Sequence, residues 1–162
     1  MSQSNQPYLE ISFRPTIATI NEARRLVANV FGPVVNDPDV AARIALATHE
    51  LLENGLKYSL DGSTMICVEV SHERVPRTVS IVTKNRVSPE HRAGLEEAFS
   101  EMRQFGHAHE YYQFTMKRTR LSRHGSGLGL ARIWSEAEMD LSFSCEGEEA
   151  RVTASLSIEV SK

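Results

Sequence analysis

Apolar residues recur along this chain with two periods, and the switches between them divide it into ten segments. From Tyr8 to Arg14 the apolar positions Leu9, Ile11 and Phe13 alternate with polar ones, the pattern of a half-buried strand. After Pro15-Thr16 the spacing lengthens to that of a helix. Ile20, Ala23, Val27 and Val30 form its stripe, and Gly32-Pro33 is expected to stop it near Phe31. Asp37-Pro38 then opens a second helix as N-cap and first-turn proline, with Val40, Ile44, Ala47, Leu51 and Gly55 on its buried side. Alternation returns in Thr64 to Ser71 (Ile66, Val68, Val70) and in Thr78 to Lys84 (Val79, Ile81), with a turn at Asp61-Gly62 before the first and one at Arg74-Val75-Pro76 between them.

Two further helical runs follow. Pro89 to Phe105 places Leu95, Phe99 and Met102 on one stripe, and Glu110 to Arg120 carries Tyr111, Tyr112, Phe114 and Met116. A basic run, Lys117 to Arg123, leads into the glycine-rich stretch Gly125-Ser126-Gly127-Leu128-Gly129. Its apolar continuation reads as a helix ending near Glu138. Strands at Leu141 to Cys145 and Ala150 to Val160 close the order. Such an order predicts an α+β fold of two layers: a mixed, mostly antiparallel sheet with helices on one face and a helical insertion at 85–124 that includes a lid.

Bulk composition narrows the picture. The 162 residues, 41% of them hydrophobic, suit one domain with its own core, read here as 1–162. A formal charge of -3 makes no electrostatic case for direct nucleic-acid binding. No apolar run approaches the ~20 residues of a bilayer span, and the polar amino terminus lacks a signal-peptide pattern, so no membrane association is expected. Cys67 and Cys145 fall in strands and read as reduced core residues, and the cytoplasm is the expected compartment.

The second helix carries the most chemistry. Glu50, Asn54, Lys57 and Tyr58 fall at i, i+4, i+7 and i+8, one helical face bearing a carboxylate, a carboxamide and an ammonium. Read alone, that face suits a polyphosphate with its magnesium ion, and equally a solvated face with ordinary salt bridges. Gly125, Gly127 and Gly129 precede a helix, where backbone amides and the helix dipole receive anions and glycine lets the backbone come close. A dinucleotide fingerprint would directly follow a strand, and a Walker loop would end in Gly-Lys-Ser/Thr; neither holds here.

Together the two motifs are more specific. His49-Glu50-Leu51-Leu52-Glu53-Asn54-Gly55-Leu56-Lys57-Tyr58-Ser59 resembles the asparagine box of the GHKL ATPases and kinases. Gly125-Ser126-Gly127-Leu128-Gly129-Leu130 is similar to that family's second glycine box, and the element order resembles the Bergerat fold. A single short domain with Glu four residues before the Asn resembles, within that family, the anti-sigma-factor serine kinases. The resemblance implies ATP and magnesium as ligands, with Asn54 the magnesium ligand and Glu50 the base for a serine or threonine hydroxyl. It implies Lys57 near the phosphates. Gly125, Ser126, Gly127, Leu128 and Gly129 would form the phosphate cradle.

The first glycine box departs from the family pattern. An Asp followed by alternating glycines is expected there, and this chain has Asn85-Arg86-Val87-Ser88-Pro89. Asn85 can still accept from an adenine amine and donate to a ring nitrogen. This Asn-for-Asp pattern resembles a divergent bacterial branch of such kinases that act on a small dedicated partner protein. Two functions follow. One is a serine/threonine kinase phosphorylating a small regulatory, anti-anti-sigma-like partner, with a sigma factor or another signalling component as output. The other is a degenerate GHKL domain that sequesters its partner without turnover. A homodimer through the uncovered sheet face is compatible with the resemblance.

Overall fold

The computed structural model describes residues 6–73, 75–121 and 127–159, with Arg120 and Leu121 as backbone only. The elements are β1 (Tyr8–Phe13), α1 (Ile17–Val35), α2 (Pro38–Tyr58), β2 (Thr64–Ser71), β3 (Arg77–Arg86), α3 (Pro89–Met102), α4 (Ala108–Leu121), α5 (Leu128–Ser135), β4 (Asp140–Glu146) and β5 (Glu149–Ile158). The five strands form one sheet in the order β1-β2-β3-β5-β4. All four ladders are antiparallel, so the expected antiparallel character extends through the whole sheet.

Strand alternation decides which face is covered. Ile66, Val68 and Val70 of β2 lie opposite Thr83, Ile81 and Val79 of β3, and Ile81 and Thr83 lie opposite Ala154 and Val152 of β5. Every one of these side chains is buried. Helices α2, α3 and α5 pack on the strands from this side, and α1 packs on α2. The intervening residues, Met65, Cys67, Glu69 and Ser71 on β2, are only half-buried on the opposite face. The result is the two-layer α/β sandwich that the sequence predicts.

Local chemistry explains the helix starts. Thr16 caps α1 through a reciprocal pair with Thr19, Asp37 Oδ1 accepts from the amides of Asp39 and Val40, and Ser88 caps α3 ahead of Pro89. The end of α1 differs from the expectation. It runs through Gly32-Pro33 to Val35 and stops at Asn36 in the left-handed conformation, φ 52°. A proline in the last turn removes one amide bond, while Phe31 and Val35, four residues apart, both reach the core. Val30, expected on the stripe, is 37% exposed, and Phe31 holds its place.

The inserted helices join the main core. Phe99 of α3 stacks on Phe143 of β4, with ring centres 5.4 Å apart. Tyr111 of α4 is fully buried between Phe105 and Trp134, whereas Phe114 is exposed. The Arg118 guanidinium ties α4 to Glu101 of α3 by two contacts of 2.9 and 2.8 Å. The cysteines are free and half-buried. Cys67 belongs to the uncovered face, opposite Glu10 and Val82, and not to the core where it was expected.

Candidate functional site

The long helix α2 sets the site, since its hydrophobic stripe fixes which way each polar residue points. Val40, Ile44, Ala47, Leu51 and Gly55 are buried as expected, and this rotation also carries Glu50 inward, to 5% exposure. Burial pushes the Glu50 carboxyl above the ordinary carboxylate range. The Arg132 guanidinium opposes that rise, and the Glu53 carboxylate adds to it. Arg132 Nη1 donates to Glu50 Oε1, spanning α5 and α2.

The glycine-rich segment reaches the same place. Gly127 sits at the N-cap of α5 with φ 89° and no side-chain cap, and its carbonyl accepts from the Ala131 amide at 3.0 Å. Leu128, half-buried, opens α5. A Cβ on Gly129 would stand 2.8 Å from Glu50 Oε2 and 3.7 Å from Asn54 Oδ1. Glycine at this position therefore lets the start of α5 seat on the two polar side chains one helical turn apart on α2. Gly125 and Ser126 lie outside the described residues.

The other site residues separate. Lys57 leans toward Glu53 with a 3.8 Å contact, and its side chain stays 54% exposed. Glu53 also faces His49 Nε2 at 3.3 Å. Tyr58 turns to His91 of α3, ring centres 4.8 Å apart, and burial raises its hydroxyl pKa. Asn85 stands near the end of β3 opposite Ala150, half-buried on the side that carries Val79, Ile81 and Thr83. The Arg86 carbonyl accepts from the Leu60 amide at 2.8 Å, which holds the end of β3 beside the exit of α2. Gly55 brings α2 against β2, since a Cβ there would overlap Thr64, whose buried hydroxyl has no hydrogen-bond partner among the described residues.

The arrangement divides by chemistry. Glu50, Asn54 and the Gly127–Gly129 backbone form one end, with a carboxylate, a carboxamide oxygen and a helix start. Asn85, Thr64 and the Tyr58–His91 pair mark the other. Magnesium is a hard cation that keeps waters and phosphate oxygens in its shell, so one carboxamide oxygen beside a helix start with no side-chain cap would suit it better than a closed protein cage. Among the described residues no group of three or more His, Cys, Asp or Glu side chains could hold a metal on its own. Sequence reasoning missed Arg132, although it is the one charged residue of the helix Leu128–Ser135.

No family description matches the chain, and no curated protein sequence does either. Among solved structures, a chain in the crystal structure of the SiaB-SiaC complex from Pseudomonas aeruginosa superposes with a TM-score of 0.64. The match covers 96% of this chain and 93% of that one at 13% identity. Similarity at that level shows a shared fold over nearly the whole length. No described helix is long and apolar enough to cross a membrane.

Proposed function

We propose that this protein is an ATP-binding serine/threonine kinase of the anti-sigma-factor type, which phosphorylates a small regulatory protein in bacterial signalling. One observation carries the reading: Glu50 and Asn54 meet at the Gly129 backbone, where a Cβ would stand 2.8 Å from one and 3.7 Å from the other. A base, a magnesium-binding oxygen and a phosphate cradle are what phosphoryl transfer requires of a protein. In the proposed reaction a partner hydroxyl oxygen attacks the γ-phosphorus. The bond to the bridging oxygen breaks, ADP leaves with that electron pair, and the hydroxyl proton passes to Glu50. Asn54 would hold a magnesium ion, which supplies charge neutralisation of the phosphate oxygens. Asn85 would receive the adenine amine.

The fold neighbour was solved as a two-protein complex, which supports a protein partner for this chain also. Incubation with labelled ATP and candidate small partner proteins from neighbouring genes tests the reading. Label on a serine or threonine of the partner, lost in Asn54→Ala, is the expected result; no transfer by the wild-type protein contradicts it. A homodimer through the uncovered sheet face belongs to the same proposal, and sedimentation at micromolar concentration tests it.

A second reading is favoured by the end of β3. Asn85 is followed by Arg86 and a buried Val87 where glycines would make room for a base. A chain of this kind would bind and sequester its partner without turnover. It predicts that Mg-ATP leaves Tm unchanged, whereas binding at 100 times Kd would add ~2.7 kcal/mol.

A further inference from the structure

Arg132 is the one charged side chain of α5, and the reaction described above assigns it no role. Its guanidinium crosses to α2, where Nη1 donates to Glu50 Oε1 and Nη2 faces Glu136 Oε2 at 3.4 Å. The Glu50 side chain is 6% exposed, and its second oxygen, Oε2, lies on the Gly129 side. We propose that Arg132 is the positioning residue of the base: it pins one Glu50 oxygen and leaves the other turned to the phosphate end, where the partner's hydroxyl must give up its proton. The inference rests on the kinase reading.

Two physical arguments support the assignment. A glutamate has three side-chain torsions, and a proton acceptor works only within hydrogen-bond reach of its donor, so fixing one oxygen selects the productive orientation of the other. A buried carboxylate also needs a compensating cation to remain ionised. The charged groups that act on Glu50 are Arg132, Glu53, His49 and Lys57, and Arg132 is the strongest of them. Lys57 is turned to Glu53 instead. The second arm of the guanidinium, held by Glu136 at the C-cap of α5, keeps the fork between two carboxylates.

The test compares wild type, Arg132→Met and Arg132→Lys in two measurements. Kinetics of phosphotransfer at saturating Mg-ATP should show Arg132→Met slowed roughly 10- to 100-fold, with KM for ATP within about twofold, and largely rescued by Lys. Unfolding of Glu50→Gln, Arg132→Met and the double variant should give equilibrium constants that fail to multiply by about threefold or more. If Arg132→Met does not fold, Arg132→Gln replaces it under the same expectations. A wild-type rate in Arg132→Met overturns the proposal. A raised KM with unchanged kcat also overturns it, because Arg132 would then hold nucleotide. If wild type transfers no phosphate while the unfolding constants remain coupled, the kinase reading falls and the pair is a structural tie. Rate loss without coupling keeps the kinase reading and removes the Glu50 contact as its cause.

Discussion

The two ends of the candidate site are built by different means. At the α2–α5 end, Glu50 and Asn54 face the backbone at the start of α5, where a Cβ on Gly129 would stand 2.8 and 3.7 Å from them, and Arg132 donates to Glu50. At the β3 end, main-chain bonds do the holding, with the Leu60 amide on the Arg86 carbonyl and the Val87 amide on the Glu148 carbonyl, both at 2.8 Å. Packing at the first end tolerates little change, since any side chain at position 129 meets a buried carboxylate. At the second, the backbone path survives replacement of the residues it presents. The difference marks where such a protein can diverge: the seat of Glu50 and Asn54 against α5 is fixed by close packing, and the end of β3 is open to substitution.

Substitutions at each end separate the two. Glu50→Gln should remove the proton acceptor and slow phosphotransfer by about 10²- to 10⁴-fold, with nucleotide binding retained, in a labelled-phosphate assay. Gly129→Ala should cost ~1–3 kcal/mol in chemical denaturation, because the added methyl meets Glu50 Oε2. Asn85→Ala, at the opposite end, should weaken ATP by only ~0.5–1.5 kcal/mol, about 2- to 12-fold in Kd by calorimetry, and leave stability nearly unchanged. Smallest of all, Lys57→Ala should change stability by less than ~1 kcal/mol, as its contact with Glu53 is largely solvated.

A pH series sharpens the same contrast. Burial raises the folded-state pKa of Glu50 above its unfolded value. Between those two values the native state binds more protons than the unfolded state, so this group's contribution to stability falls as pH rises through that window. The Tm of Glu50→Gln should therefore gain on the wild type as pH rises through it. A constant difference across the series would show that Glu50 titrates as an exposed carboxylate does.

How much of this was legible in the sequence depended on the range of the interaction. Strands, helix caps and the buried stripe of α2 follow from neighbours a few residues apart, and Asp37, Val40, Ile44 and Leu51 are all found where periodicity places them. The stop expected at Gly32-Pro33 fails because tertiary burial of Val35 outweighs one lost amide bond. The polar face of α2 was legible as a face, but spacing alone could not say that Glu50 is buried while Lys57 is solvated. That split comes from α5, which packs on the Glu50 turn. Arg132 lay beyond reach for the same reason: its partner is 82 residues away. Cys67 shows the limit of reading a strand as core, since alternation gives two faces without saying which one helices cover.

Titration calorimetry on wild type and Asn54→Ala reads the proposed Mg-ATP binding at the α2–α5 end without an assay partner. The wild type should bind ATP saturably and only with magnesium, and Asn54→Ala should weaken that binding tenfold or more, ~1.4 kcal/mol. Absence of binding by the wild type, or equal binding by both proteins, would contradict it.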